Sequence, residues 1–149
     1  MEHDDGLGQS IWDADVVLLG PSRTCKTPIS MYLACNYGLK VANIPVVANE
    51  ALEPGLLARL EVVQNHKIIG LTMRPEVLTH VREERSHYLT HAARSMVDVT
   101  QYFDIKEVRA EVRFCLALFN RHGWEVVDVT RRAIEEISRE LLEKLGYPH

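Results

Sequence analysis

The sequence predicts an α/β fold, a mostly parallel sheet of about four strands flanked by helices. Three observations lead there. Short apolar runs alternate along the chain with longer segments of helical period. The runs are continuously apolar, as in strands buried on both faces of a parallel sheet. The polar motifs lie just after such runs, on the side where open α/β sheets hold ligands. The 149 residues fit one domain; residues 14–149 are read as that domain and residues 1–13 as a leading segment. No internal repeat is visible, and the strand order is not readable from the pattern.

The elements follow in order. Asp15 to Leu19 is a short valine-rich strand. Lys26 to Tyr37 is a helix, with Ile29, Leu33 and Asn36 or Tyr37 in period, and Gly38 closes it. Lys40 to Val47 is a second strand whose Pro45 points to an edge. Pro54 to Leu60 is a short helix, and Lys67 to Met73 a third strand. Pro75 opens a helix to about Arg85, with Val77, Leu78 and Val81 on one face. Ser86 to Asp104, which holds His87, Tyr88, His91 and Tyr102, is the least regular section and is read as a loop with some helix. Lys106 to Arg121 is the clearest helix, with a stripe of Val108, Val112, Leu116 and Phe119. Trp124 to Val129 is a fourth strand. Thr130 is placed to cap a helix from Arg131 to Leu145 that buries Ile134, Ile137, Leu141 and Leu145. Glu135 with Arg139 and Glu140 with Lys144 are favourable four-apart pairs on its wet face.

Composition narrows the function classes. Hydrophobic residues make up 46% and charged residues 26%, an ordinary soluble balance. A net charge of −4 gives no electrostatic reason for a nucleic-acid surface. Cys25, Cys35 and Cys115 form no C-x-x-C pair and read as reduced thiols. The start, MEHDDGLGQS, is acidic and polar, unlike a signal peptide, and no apolar run approaches a membrane span, so a cytoplasmic location is expected. His80, His87 and His91 could share a helical face, but their spacing matches no metal motif and no metal site is assigned.

The informative stretch is ADVVLLGPSRTCKTP, Ala14 to Pro28. Against the phosphate-loop pattern G-x-x-x-x-G-K-[ST], Gly20, Lys26 and Thr27 fit, and Cys25 stands where the second glycine would be. Binding a phosphate needs inward main-chain N–H groups, a helix start behind them and a cation that reaches the outer oxygens. A strand ending at Gly20, the loop Pro21 to Cys25, and Lys26 and Thr27 opening a helix supply these, with Pro28 tolerated in the first turn. Arg23 adds a second cation. A non-glycine residue before the lysine costs about 1 kcal/mol if it must take positive φ. On this reading the fold is of the P-loop type; the competing reading is a plain strand-to-helix turn with solvated Arg23 and Lys26. Cys25 also admits a nucleophile reading, since a helix start and two cations would lower its pKa, against the simpler role of small loop filler.

The residues also carry a family resemblance. ADVVLLGPSRTCKTPISMYLACNYGLKVANIPVV, KIIGLTMRPEVLTHVREER, YFDIKEVRAEV and GWEVVDVTRRAIEEISRELL stand in this order. The chain, from HDDG at His3–Gly6 to the last helix, resembles the pyruvate, phosphate dikinase and phosphoenolpyruvate synthase regulatory proteins. The resemblance implies a bifunctional enzyme. Such proteins phosphorylate a threonine of the target with ADP as donor, and remove that phosphate with inorganic phosphate as acceptor and pyrophosphate as product. Gly20, Pro21, Ser22, Arg23, Thr24, Cys25, Lys26 and Thr27 match the family's nucleotide-binding loop, with Pro21 in place of a more usual valine and Cys25 where serine or another small residue is common. The family has a further domain ahead of HDDG, so the chain resembles the carboxyl-terminal, nucleotide-binding part.

Roles follow as expectations. The loop amides and Lys26 hold the β-phosphate of ADP, Arg23 stabilises the moving phosphoryl group, and Thr27 completes the shell with or without Mg²⁺. Asp5, with Asp4, is a candidate base or metal ligand, or else part of a solvated acidic terminus. Asp128, in its strand, resembles a Walker B carboxylate or has a structural role there. Arg131 and Arg132, read in the first helical turn, either meet a phosphate or pair with Glu135 or Glu136. Arg74 is placed as a further phosphate ligand or as a surface arginine. Expected partners are an adenine nucleotide and the dikinase or the synthase, with a homodimer allowed and neither nucleic acid nor membrane. The alternatives are a truncated, non-catalytic nucleotide-binding module and a small-molecule P-loop kinase.

Overall fold

The computed structural model describes residues 13–48, 50, 52, 54–63, 67–92 and 104–146, with the backbone alone over 85–92. Four parallel strands form one sheet: β1 (Val16–Gly20), β2 (Val41–Pro45), β3 (Ile68–Thr72) and β4 (Glu125–Asp128). Their order is β2-β1-β3-β4. Val16 lies opposite Val41, Val17 opposite Ile68, and Ile69 opposite Glu125. The described helices are α1 (Lys26–Tyr37), α2 (Pro54–Glu61), α3 (Pro75–Ala92), α4 (Ile105–His122) and α5 (Ile134–Leu145). None is long and apolar enough to cross a membrane.

The continuous apolar runs have the expected cause. Every residue of β1 is buried, because helices cover both faces of the sheet. Val16 and Leu18 face one side, with Ile29 and Leu33 of α1, Leu78 of α3, and Ile137 and Leu141 of α5. Val17 and Leu19 face the other, with Leu56 and Leu60 of α2 and Cys115, Leu118 and Phe119 of α4. β2 is an edge strand and Pro45 is its last residue, where the missing N–H costs no ladder bond. Gly70 of β3 lets α4 approach closely: a Cβ there would sit 2.4 Å from the Phe119 ring.

Three expectations need correction. α3 does not stop near Arg85 but runs to Ala92, since nothing after Pro75 breaks it; of the section read as a loop, residues 93–103 lie outside the described set. In α4 the buried stripe is Val108, Val112, Cys115, Leu118 and Phe119, while Leu116 is exposed. Alternating steps of four and three hold the apolar face, whereas 116 lies a further 100° round. Finally, α5 begins at Ile134, with Ala133 as a cap residue that makes no side-chain cap bond. Thr130 is used elsewhere: its N–H and Oγ1 both donate to Asp128 Oδ1, at 2.8 and 2.6 Å. Its Oγ1 also accepts from the Arg74 N–H at 2.8 Å, which ties the exits of β3 and β4 together.

Candidate phosphate-binding loop

The order of the strands makes β1 a switch point. The chain passes from β1 to β2 on one side and then crosses back to β3 on the other, and open α/β sheets bind ligands beyond the strand ends at such a point. The loop between β1 and α1 stands there. Gly20 is required by close approach: a Cβ would lie 2.9 Å from the Leu71 carbonyl oxygen and 3.0 Å from Thr24 Oγ1. Thr24 is fully buried and its hydroxyl donates to the Pro21 carbonyl at 2.7 Å, bracing the turn from inside.

Cys25 takes the backbone conformation that the absent glycine would have supplied. Its φ is 67° and ψ 18°, left-handed, at the cap position of α1. Arg23 is also left-handed, at φ 69°. Two non-glycine residues so close in that region cost about 1–2 kcal/mol each. No hydrogen bond to another described residue uses the main-chain N–H of Arg23, Cys25, Lys26 or Thr27. Left-handed residues among right-handed ones turn successive N–H groups toward one concavity, the arrangement that cradles anions.

Lys26 folds back over this loop. Its Nζ donates to the carbonyls of Gly20 at 3.0 Å and Pro21 at 2.8 Å. Burial, with a smaller contribution from Arg82 and Arg23, pulls its pKa from 10.5 down to about 8. Arg23 and Thr27 are exposed at the rim. Cys25 is half-buried against the core, and its thiol pKa is raised by burial, which outweighs the neighbouring Lys26. The nucleophile expectation assumed a lowered pKa; the direction is the reverse, because the thiol turns toward apolar packing and away from water.

Arg82 and Glu111 belong to this site, and sequence reasoning did not find them. Arg82 of α3 makes a two-pronged pair with Glu111 of α4, Nη1 to Oε1 at 2.7 Å and Nη2 to Oε2 at 2.9 Å. Its Nη2 also donates to the Ser22 carbonyl at 3.2 Å. The guanidinium side chain is 12% exposed. The contacts cross long sequence separations, so no local pattern announces them.

The remaining assigned residues are not joined to the loop by any described bond. Arg74 is exposed after β3, beside the loop-bearing strand. Arg131 is exposed and left-handed, φ 53°, ahead of α5 rather than in its first turn. Arg132 pairs with Glu140 at 2.7 Å and donates to the Asp128 carbonyl at 3.0 Å, not with Glu135 or Glu136. Asp128 is occupied by Thr130, and β3 separates its strand from β1, so it serves the turn. Asp4 and Asp5 lie outside the described residues. No cluster of three or more potential metal ligands occurs among the described residues. A concavity of about 530 Å³ runs along α1 and the start of β2, beside Asp13, Met31, Ala34 and Lys40, apart from the loop.

Comparison with known proteins adds the lineage. The profile of the kinase/pyrophosphorylase family matches residues 1–142. A pyruvate, phosphate dikinase regulatory protein of Chelativorans sp. (strain BNC1) is 43% identical over 148 residues, 98% of this chain and 50% of that protein. One of the same name from Novosphingobium aromaticivorans is 46% identical over 135 residues, 90% of this chain and 45% of the relative. Another, from Trichlorobacter lovleyi, is 40% identical over 147 residues, 97% and 51% respectively. The chain thus spans about half the length of these relatives.

Proposed function

This chain belongs to the kinase/pyrophosphorylase family, and from that premise we propose that its phosphate loop, Gly20 to Thr27, binds the diphosphate of ADP. It would serve an ADP-dependent threonine kinase and phosphate-dependent phosphorylase acting on pyruvate, phosphate dikinase or phosphoenolpyruvate synthase. The names of the relatives favour the dikinase as target. The observation that carries the reading is the left-handed Cys25: the loop keeps the shape of the glycine pattern although the glycine is absent.

Phosphoryl transfer asks the protein to hold groups in line and to neutralise developing charge. In the forward reaction the threonine oxygen attacks the β-phosphorus of ADP, its proton passes to a base, the bond to the α-phosphate breaks, and AMP leaves. In the reverse reaction an oxygen of inorganic phosphate attacks the phosphorus of phosphothreonine. The threonine oxygen leaves with a proton, and pyrophosphate forms. One pocket can serve both, since each passes a phosphoryl group between a hydroxyl and a phosphate. Lys26 would exchange its two carbonyl partners for phosphate oxygens, the N–H groups of Arg23 to Thr27 would hold the β-phosphate, and Arg23 would follow the moving group. Arg74 and Arg131 are proposed outer phosphate contacts, and Asp5 the base. The exposed Thr27 hydroxyl suits one position on a Mg²⁺ that arrives with the nucleotide, since Mg²⁺ commonly keeps few protein ligands.

The test is incubation of the chain with each target enzyme and ADP, with mass analysis of the target's threonine and Lys26→Ala as control. A phosphate on the threonine with ADP but not ATP, lost in the variant, is the expected result. Calorimetric titration with ADP stands beside it. Absence of ADP binding by the wild type, or binding unchanged in Lys26→Ala, overturns the assignment.

A further inference from the structure

We infer that Arg82 is a positioning residue for the phosphate loop, acting through the Ser22–Arg23 peptide and held in place by Glu111; this rests on the reading of the loop as an anion site. In a trans peptide the C=O of one residue and the N–H of the next point in opposite directions. Arg82 Nη2 donates to the Ser22 carbonyl from the α3–α4 side. The Arg23 N–H is thereby turned the other way, and it meets no partner among the described residues. Arg23 is left-handed, which the residue tolerates only under such constraint. Glu111 grips both prongs of the guanidinium and fixes its plane, so that one nitrogen is always presented to Ser22.

The arrangement is a costly way to join two helices. Arg82 Nε is buried without a partner. Buried ion pairs commonly stabilise a fold no better than apolar residues of similar volume. Leu78, Val81, Val108 and Val112 already supply an apolar seam between α3 and α4 that a Met at 82 could extend. An apolar residue would not, however, hold the Ser22 carbonyl. That single bond is what separates a loop-positioning role from a packing role.

The experiment uses the full chain with Arg82→Met, Arg82→Lys and Glu111→Gln. In the ligand-free protein, the Arg23 amide resonance is expected to move in Arg82→Met, while amides of β1 and β3 stay put. ADP and inorganic pyrophosphate are expected to bind about tenfold more weakly or worse, since one charge-assisted donor is misaimed, while the thermal midpoint falls because Glu111 is left without its partner. Arg82→Lys keeps a charge but cannot span Glu111 and Ser22 in one plane; it tests the idea should the Met variant not fold, and is expected to recover only part of the affinity. Glu111→Gln is expected to weaken binding in the same direction. If wild type binds ADP and the Arg82 variants bind it equally with an unmoved Arg23 amide, the inference is overturned and the loop assignment stands. If wild type binds neither ligand, the loop assignment falls, and the ligand-free amide measurement still decides the role of Arg82.

Discussion

Diphosphate binding should weaken as pH rises through 8, and Lys26 sets the size of the effect. Burial holds its pKa at about 8 instead of 10.5, so the empty loop carries the ammonium at neutral pH and loses it in mildly alkaline solution. A bound diphosphate favours the charged amine and restores its proton. Above about pH 7 the diphosphate has passed its own last ionisation near 6, which leaves Lys26 as the loop cation that titrates between pH 7.5 and 9.5. With about a tenth of the empty loops still protonated at pH 9, affinity should be about tenfold below its neutral value there. Near pH 8, binding should take up about half a proton. Calorimetry in buffers of different ionisation enthalpy measures both quantities. Lys26→Arg keeps its charge throughout and should bind with a flat profile, whatever its absolute affinity. The corresponding stability sign is set by a depressed lysine pKa. The unfolded chain holds the proton up to about 10.4 and the folded chain only to about 8, so this group makes the ligand-free protein more stable as pH rises across that window, by up to about 3 kcal/mol. Affinity that is constant from pH 7.5 to 9.5 in the wild type would refute the reasoning, for it would mean that the amine is not the cation the anion meets.

Three further outcomes are expected. Gly70→Ala should destabilise by about 1–3 kcal/mol, because its Cβ would overlap the Phe119 ring; denaturant unfolding measures this, and Phe119→Leu in the same chain should recover part of the loss. Cys25→Gly should leave stability within about 1 kcal/mol of wild type, since relief of the left-handed strain offsets backbone entropy and lost packing, whereas Cys25→Val should cost about 2 kcal/mol; thermal melts of the two variants check the difference. Thiol labelling of the native protein should modify the exposed Cys35 first, the half-buried Cys25 more slowly and Cys115 only on unfolding, because burial pushes the Cys115 thiol up to about 12 and leaves it no access to water. Early labelling of Cys115, read by peptide mass analysis, would contradict the packing of α4.

The strands were legible because β1 and β3 are near-continuous apolar runs, the mark of strands covered on both faces, and because β2 and β4, at the edges, keep apolar residues beside Asn43, Glu125 and Asp128. Their order was not, since it depends on which face each connecting helix takes. The turn between β1 and α1 that forms the candidate loop was legible from Gly20, Lys26 and Thr27, and positive φ at residue 25 was foreseeable from the pattern, even with cysteine there. Arg82 was hidden because its meaning lies in Ser22 and Glu111, which only the folded chain brings near. Thr130 misled for a physical reason: a residue suited to capping a helix is equally suited to an Asx turn, and the carboxylate two positions before it decides between them. Leu116 misled because a strict step of four drifts off the helical face.

The all-parallel order also bears on how the chain acquires its shape. Every pair of strands is joined through a crossover rather than a tight turn: β1 waits for residues 41–45, then for 68–70, and β3 for 125–128. Each pairing must close a long connection before any ladder bond rewards it, so the route to the native state is rich in distant contacts and correspondingly slow. A nascent chain on the ribosome can wind α1 early, but it cannot complete the sheet until β4 has emerged, and until then the flank of β3 stands open to other unpaired strands.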